Sequence, residues 1–198
     1  MAIEINQVGP EALGRYAEIP IRFRVESVFR VEQAEGGLGG LRLIEEPLAT
    51  PYVKDYDEDD HPEGVMHWPR RFDVSTWMFL MAFDEGKAVG GAAVAFRSPG
   101  IHMLQGCDDM AVLWDLRVDP DHRGRGIGTA LFDRSAAWAR EQGCRGLKIE
   151  TQNINVRACR FYAARTCRLG AIDRYGYAGD PRVAHEVMLL WYLDLEPC

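Results

Sequence analysis

The sequence predicts a mixed α/β domain built on a sheet of six or seven strands, and two observations lead to this fold class. The runs TWMFLMAF (76–83) and AVGGAAVAF (88–96) flank the turn DEGK, which is the pattern of an antiparallel hairpin. Further along, a strand, a helix and a strand follow one another with the spacing of a parallel crossover. A sheet that holds both kinds of pairing is mixed, so the fold class is α/β or α+β.

The crossover has recognisable ends. MAVLWDLRVD (110–119) is its first strand, and Pro120 ends that strand. The helix is predicted over IGTALFDRSAAWAREQG (127–143), with Gly143 as its terminator. GLKIET (146–151) is the strand that follows.

The carboxyl-terminal part continues the same alternation. A second helix is predicted from about Asn155 to Ala164, with Asn155 in the N-cap position. GAIDRYGYAG (170–179) and HEVMLLWYLDL (185–195) are predicted as two further strands.

The amino-terminal part is less regular. Residues 1–46 show no clear periodicity, and AEGGLGGLRL (34–43) is predicted as a loop that leads into a short segment. The segment PYVKDYDEDDHPEG (51–64) contains prolines and the acidic run 57–60, so we expect an exposed turn or loop there.

Length and composition suit an ordinary globular protein. A chain of 198 residues with 47% hydrophobic residues can form one domain, 1–198, with a core that needs no disulfide or metal. The five cysteines are odd in number and show no C-x-x-C spacing, which argues against a disulfide framework and against a zinc site. With no export signal and no apolar run long enough to span a membrane, a cytoplasmic location is expected.

The net charge of −7 limits the class of partner. Nucleic acid and anionic lipid both need a positively charged surface, so neither is an expected partner. Cationic small molecules are the more natural ligands.

The stretch RVDPDHRGRGIGTALF (117–132) predicts a site for phosphate. Glycines at alternate positions let backbone N–H groups approach a ligand at the start of a helix, where the helix dipole adds positive potential. Arg123 and Arg125 add charge beside Gly124, Gly126 and Gly128.

Two known phosphate-binding motifs do not fit this stretch. A Walker loop would require G-K-[ST], which is absent, and Thr129 stands where a Rossmann fingerprint has its third glycine. A Rossmann nucleotide site stays a minor alternative, because Glu150 resembles the acid that binds ribose.

Two segments together carry a resemblance to a known family. The pattern R-x-x-G-x-G, formed by Arg123, Gly126 and Gly128, and the later segment NINVRACRFYAA (153–164) resemble the GNAT family of acetyl-CoA-dependent N-acetyltransferases. The resemblance covers about residues 75–195, and ACRFY, IDRY and a closing WY are similar to its streptothricin acetyltransferase branch. The segment AARTCRLG (163–170) departs from that pattern, since relatives often carry a glycine-containing turn there.

The resemblance implies a mostly antiparallel sheet with a splayed parallel pair, and different roles for two parts of the chain. Residues 75–195 would form the coenzyme A-binding core, and residues 1–74 part of the substrate side. The predicted strand 110–119 would bind pantetheine through the backbone of Leu116 and Val118, on either side of Arg117. Further residues that would hold coenzyme A are Arg123, Gly124, Arg125, Gly126, Ile127, Gly128, Thr129 and Asn155.

Acetyl transfer to an amine requires a neutral amine, a stabilised oxyanion and a proton for the departing thiolate. Asp115 is the candidate carboxylate for the amine, but it can equally anchor an ammonium, or simply pair with an arginine. Tyr162 is the candidate general acid, with packing in the core as the alternative. A cysteine nucleophile at Cys159 is not supported, because no histidine is placed to activate it.

The acceptor implied by the resemblance is a small cationic amine, such as an antibiotic of the streptothricin type. The acidic run DYDEDD (55–60) would attract it, and Trp68, Tyr175 and Tyr177 offer rings for cation–π contacts or, alternatively, for packing. Acetylation of another amine (a polyamine, an amino acid or a protein N-terminus) and a non-catalytic coenzyme A sensor stay open. No metal is expected, and a homodimer is left open by the resemblance.

Overall fold

The computed structural model describes residues 3–59 and 64–195. Within these ranges the chain forms strands in two sheets. The strands are β1 (Glu4–Val8), β2 (Phe23–Gln33), β3 (Leu41–Lys54), β4 (Met78–Asp84), β5 (Lys87–Phe96), β6 (Met110–Val118), β7 (Gly146–Gln152), β8 (Arg168–Asp173) and β9 (Met188–Asp194).

Helices connect or flank these strands. They are α1 (Leu13–Ala17), α2 (Tyr56–Asp59), α3 (Trp68–Arg71), α4 (Ile127–Glu141) and α5 (Val156–Ala163). The two helices predicted from the sequence are α4 and α5, and Gly143 follows α4 with φ +79° as its predicted terminator.

The larger sheet has seven strands in the order β1-β4-β5-β6-β7-β9-β8. Its pairs are mostly antiparallel, and β6 with β7 is the parallel pair joined through α4. The β4–β5 hairpin closes with Asp84 opposite Lys87, as the DEGK turn predicts. The mixed α/β fold predicted from the sequence is therefore confirmed.

The amino-terminal half is more ordered than the sequence suggested. Residues 23–33 and 41–54 form a second, two-stranded antiparallel sheet, with Phe23 opposite Lys54. The prediction of an irregular region over 1–46 was wrong here. The prediction of a loop over 51–64 was wrong for 51–54, which end β3, and for 56–59, which form α2. Asp60, the last acid of the run, lies outside the described residues.

An interruption of the alternation explains why β2 was missed. Its apolar residues alternate with polar ones from Phe23 to Val25 and again from Phe29 to Glu32, but two polar and then one extra apolar residue, 26–28, stand between. The register with β3 shifts at the same place, since Val25 pairs with Tyr52 and Ser27 with Pro47, and the extra residues lie in β3. The period of two on which a strand prediction depends is therefore broken.

The strand predicted over 170–179 also needs correction. β8 begins at Arg168 and ends at Asp173, whose Oδ1 accepts a hydrogen bond of 2.9 Å from the backbone N–H of Tyr175. This side-chain turn stops the strand before Tyr177. In the departing segment 163–170, Thr166 takes φ +60°, a conformation that glycine adopts more easily.

By internal contacts the chain divides into two compact units. The first comprises Met1–Arg22, Asp55–Lys148 and Asp194–Cys198, and the second comprises Phe23–Lys54 and Ile149–Leu193. The assignment of 1–74 to a substrate side and of 75–195 to a core stays a prediction.

The first unit has an aromatic core on one face of β4, β5 and β6. Trp68 stacks on Phe79 at 6.5 Å between ring centroids and meets Tyr16 edge to face at 6.0 Å. Gly91 makes room for this packing, because a Cβ there would lie 2.4 Å from the ring of Tyr16. Helix α4 packs against β5 and β6.

The second unit is held by buried polar contacts as well as apolar packing. Lys54 at the end of β3 forms a 2.6 Å ion pair with Glu186, and both side chains are buried. Asn153 donates to the carbonyl of Phe29 and accepts from the N–H of Val187, so one amide joins β2 to the segment before β9. Among the described residues, no helix is both long and apolar enough to cross a membrane.

Candidate active site

The loop after β6, where the sequence predicts a cradle of backbone N–H groups, leads into the start of α4. Gly126 is the N-cap of this helix with φ +82°, and Gly124 has φ +79°, both in the left-handed region that favours glycine. Among the described residues other than the immediate chain neighbours, no atom lies within 4 Å of the position that a Cβ would take on either glycine, so the surface above them is open. The first-turn N–H groups of an α-helix have no intrahelical acceptor, and they therefore suit an anion such as a diphosphate.

The two arginines of the loop are tied to the protein. Arg123 donates from Nε to the carbonyl of Val118 at 3.0 Å and from Nη2 to the carbonyl of Arg22 at 2.7 Å. Arg125 donates to Asp84 Oδ2 at 2.6 Å, although its side chain is exposed. Arg123 thus fixes the loop against the end of β6, while Arg125 is held by Asp84 through Nη1.

Strand β6 presents different residues to its two faces. Asp115 and Arg117 are buried, whereas Leu116 and Val118 between and after them are half-buried. Val118 lies opposite Gly90, and a Cβ on Gly90 would lie 2.9 Å from Ile127 of α4, so Val118 shares the α4 face. Trp114 is the extra residue of a bulge, since Ala93 pairs with Asp115 and Val94 with Leu113.

Asp115 belongs to a buried network on the opposite face. Tyr16 donates to its Oδ1 at 2.6 Å, and Arg117 donates from Nε to Oδ1 at 2.9 Å and from Nη2 to Oδ2 at 2.8 Å. Of the roles left open for Asp115, this geometry favours the ion pair with an arginine. The guanidinium of Arg117 is likewise engaged, so only its backbone is available to coenzyme A.

Burial sets the protonation states of this network. Burial and then the negative charge of Asp115 raise the pKa of Tyr16, so its hydroxyl remains a donor at neutral pH. Burial works against the charge on Arg117, but Asp115, Tyr16 and Asp57 raise the pKa of Arg117 and keep it protonated.

Helix α5 begins as predicted. Asn155 is its N-cap, and its Oδ1 accepts from the N–H of Ala158 at 3.1 Å. Tyr162, seven residues into the helix, is buried, and its ring meets Phe161 edge to face at 5.2 Å. Cys159 is buried beside the hydroxyl of Thr151, and burial raises the pKa of its thiol to about 11, which disfavours the thiolate.

The aromatic residues considered for the acceptor lie in different surroundings. Trp68 belongs to the aromatic core of the first unit and is 5% exposed, which favours the packing alternative. Tyr175 is 76% exposed. Tyr177 donates to Glu150 Oε1 at 2.6 Å and accepts from Gln152 at 2.7 Å, and this polar cluster was not predicted.

Two further members of the Asp115 network were missed as well. Tyr16 comes from a part of the sequence without clear periodicity, and Asp57 from a segment predicted to be exposed. The only sequence signal for Asp57 is the acidic run itself, which does not identify the acid that pairs with a buried arginine. Within residues 3–59 and 64–195, no cluster of histidine, cysteine and acidic residues could hold a metal ion.

Comparison with known proteins identifies the family. The model of the acetyltransferase (GNAT) family matches residues 41–167. The chain belongs to the GNAT acetyltransferase family. It is 34% identical over 149 residues to Streptothricin acetyltransferase A of Bacillus subtilis (strain 168), a match that covers 75% of this chain and 76% of the relative.

Solved structures show the same fold over the whole chain. The GNAT chain matches the crystal structure of Nourseothricin acetyltransferase with a TM-score of 0.77 and 24% identity, over 99% of this chain and 100% of the other. It matches the crystal structure of a Bacillus anthracis str. Ames protein in complex with acetyl coenzyme A, with a TM-score of 0.74 and 23% identity, over 98% and 99% of the two chains.

Membership of the GNAT family defines the reaction class. The protein is an acetyl-CoA-dependent N-acetyltransferase, and acetyl-CoA is its cosubstrate. The open, glycine-bounded start of α4 is chemically suited to the diphosphate of this cosubstrate.

Proposed function

We propose that this N-acetyltransferase acetylates a primary amine of a small cationic antibiotic of the streptothricin type and thereby inactivates it. The observation that carries the proposal is the 34% identity to Streptothricin acetyltransferase A over three quarters of both chains. The net charge of −7 is consistent with a cationic acceptor. Acetyl-CoA supplies the acetyl group as an activated thioester.

The binding roles follow the positions of the residues in the fold. The backbone from Arg123 to Thr129 would hold the diphosphate, with Gly126 allowing the left-handed turn that aims the N–H groups outward. The half-buried stretch of β6 at Leu116 and Val118 would bind pantetheine through its backbone. Asn155 would act by fixing the start of α5.

Tyr162 would supply the proton to the departing thiolate. A phenol is protonated at neutral pH, so the hydroxyl of Tyr162 would carry the proton that the departing thiolate takes up. The side chain is fixed by its burial in α5 and by the ring of Phe161. Such fixation is what a general acid requires, because proton transfer depends on geometry.

Asp115 would act differently from a general base. Its carboxylate accepts hydrogen bonds from Tyr16 and Arg117 and is buried, so taking a proton from the amine would disrupt an ion pair. We propose that Asp115 instead supports the acceptor side of the site by holding Arg117 in place. The thiols of the described cysteines are free, as expected of a cytoplasmic enzyme, and the cytoplasm is the proposed location. A homodimer stays a prediction that light scattering can test.

A panel of amines tests the proposed function. The purified protein is incubated with acetyl-CoA and with streptothricin, a polyamine, an amino acid or a peptide N-terminus, while thiol release and product mass are measured. We expect streptothricin to gain one acetyl group with the highest kcat/KM. A higher kcat/KM with another amine would identify that amine as the preferred acceptor. Coenzyme A binding without turnover on any amine would support the sensor alternative.

The role of Tyr162 makes a first prediction. We expect Tyr162→Phe to lower kcat by about 10²-fold, because a positioned general acid contributes at least that much. The KM for acetyl-CoA should stay within about twofold, since the binding groups are unchanged. Steady-state kinetics between about pH 6 and pH 9 measures both.

The matched control is Tyr175→Phe, which removes the same hydroxyl from an exposed tyrosine of the same unit. This control should keep the native kcat. A Tyr162→Phe enzyme that turns over at the native rate across this pH range would remove Tyr162 from the mechanism.

A further inference from the structure

A chain of charged and polar groups joins the acidic segment 55–59 to the interior of the first unit. Asp57 accepts two hydrogen bonds of 3.2 Å, from Nη1 of Arg117 to Oδ2 and from Nη2 to Oδ1. Arg117 in turn binds Asp115, and Asp115 accepts from Tyr16. Asp57, the first acid of the run 57–60, is therefore an ion-pair partner and not only a solvated charge.

Arg117 is fully engaged in this arrangement. Nε and one N–H of Nη2 bind Asp115, one N–H of Nη1 binds the carbonyl of Ile19, and the two remaining N–H groups bind Asp57. The side chain is 2% exposed, so water cannot replace a lost partner easily. Loss of the Asp57 carboxylate would leave two buried donors without their acceptor.

Asp57 is the end of the chain that reaches the surface. Its side chain is 36% exposed, against 8% for Asp115. It lies in α2, and the backbone N–H of Asp57 donates to Asp55 Oδ1 at 3.1 Å, which shapes the turn into this short helix. A helix of four residues has little stability of its own, so its position depends on tertiary contacts such as this one.

The position of Arg117 in β6 gives the contact a functional setting. Arg117 stands between Leu116 and Val118, the residues assigned to pantetheine, but it projects toward α1 on the opposite face. Strand β6, which would bind the pantetheine of acetyl-CoA, thus also binds the acidic segment 55–59 through Arg117.

We propose that Asp57 is a positioning residue for the acceptor: through its two hydrogen bonds to Arg117 it fixes the acidic segment 55–59 on β6, and this placement determines the affinity for cationic amines. The inference rests on the proposed function, because it assumes a cationic acceptor. It differs from a general effect of negative charge, since it depends on one acid and its partner.

The charges around Asp57 predict how pH acts on this contact. Burial raises the pKa of Asp57, Arg117 lowers it, and Asp115 and Asp55 raise it, while Tyr16 is a neutral donor at the far end. A carboxyl group with a raised pKa loses its charge earlier as pH falls. The ion pair with Arg117 is therefore complete near neutral pH and weakens on acidification.

The test compares Asp57→Asn with the native enzyme on a cationic acceptor. We expect the KM for the acceptor to rise about tenfold, whereas kcat and the KM for acetyl-CoA change by less than about threefold, because the reacting groups stay in place. Asp57→Glu, which retains the carboxylate, should recover at least part of the affinity. On acidification the native acceptor KM should approach that of Asp57→Asn, whose own KM should change less.

A control variant separates the contact from simple loss of charge. Asp109→Asn removes the same charge from an exposed ion pair with Arg145, outside the acidic segment 55–59. This control should keep the acceptor KM within about twofold. An effect of Asp109→Asn equal to that of Asp57→Asn would overturn the proposal, because loss of charge alone would then suffice.

Amide hydrogen exchange gives a readout that does not depend on catalysis. Exchange of residues 56–59 should become faster in Asp57→Asn and stay unchanged in Asp109→Asn, as followed by mass spectrometry of the folded proteins. Unchanged exchange in Asp57→Asn would overturn the inference even if no acceptor were acetylated. Absence of turnover with every amine, together with faster exchange, would instead count against the proposed function alone.

Discussion

At the scale of single residues, Arg117 shows how a buried charge can be accommodated. It stands between two carboxylates, Asp115 and Asp57, and its guanidinium lies 5.1 Å from the ring centre of Tyr16. An unpaired ion would be costly in this environment, so the partners compensate a desolvation penalty more than they add net stability. Removing only the arginine should therefore destabilise the protein strongly, because the buried carboxylate of Asp115 would lose its counter-charge.

The prediction is that Arg117→Met lowers the free energy of unfolding by about 3–5 kcal/mol, because it leaves Asp115 buried without its counter-charge. Urea unfolding of the purified variant measures this loss. Arg145→Met is the matched control: it breaks a pair with Asp109 in which the side chains are 58% and 52% exposed. An exposed pair contributes about 0–1 kcal/mol, so equal losses in the two variants would refute the argument.

Residue-level prediction from sequence succeeded where the partners are neighbours in the chain. Asn155 was expected to cap α5, and its bond to the N–H of Ala158 spans three positions. Tyr16 and Asp115, by contrast, are 99 positions apart, and Asp57 and Arg117 are 60 apart. No local pattern carries information about such pairs, because only the folded chain brings them together.

At the scale of secondary-structure elements, the start of α4 is the proposed site for the diphosphate of acetyl-CoA. The turn into the helix requires φ +82° at Gly126, and the turn out of it has φ +79° at Gly143. These two glycines have nearly the same backbone conformation at opposite ends of one helix. Substitution of each glycine in turn therefore separates the effect of backbone strain on stability from the effect on acetyl-CoA binding.

We expect Gly126→Ala and Gly143→Ala to lower the free energy of unfolding by a similar amount, about 1 kcal/mol each, since both place a Cβ in the left-handed region. Only Gly126→Ala should raise the KM for acetyl-CoA, by about tenfold, because it alone disturbs the N–H cradle. Denaturant unfolding and steady-state kinetics measure the two effects. A parallel rise of KM in Gly143→Ala would mean that α4 as a whole, and not the cradle, controls binding.

Element prediction followed the regularity of the pattern. The β4–β5 hairpin and the crossover through α4 were predicted because each has continuous apolar segments bounded by a turn signal. The β2–β3 hairpin was missed because residues 26–28 interrupt the alternation of apolar and polar residues in β2. The strand expected at 170–179 was too long, because the Asp173 side chain bonds the backbone and ends it.

At the scale of the whole molecule, the net charge of −7 acts on the two substrates with opposite sign. A cationic acceptor is attracted by the field of the protein, whereas the anionic coenzyme is repelled by it.

This field predicts how salt affects the two specificity constants. Raising the ionic strength from about 0.01 M to about 0.15 M should lower kcat/KM for a cationic acceptor several-fold, because screening shortens the range of attraction. The kcat/KM for acetyl-CoA should not fall in parallel. The measurement is a salt series on the native enzyme with an uncharged osmolyte as control, and equal declines for both substrates would contradict the electrostatic origin.

The sequence by itself determined the features that depend on neighbours in the chain: the mixed sheet, the parallel crossover, the glycine loop before α4, and the two motifs that resemble the GNAT family. The first three follow from periodicity, turn chemistry and spacing, which are local properties, and the family resemblance rests on the residues of the two motifs. Tertiary structure alone decided that Asp115 is held by Tyr16 and Arg117, and that Asp57 closes the same network. The reason is physical: a buried charge takes its partner from whichever segment folding brings within hydrogen-bond distance, and chain separation does not limit that choice.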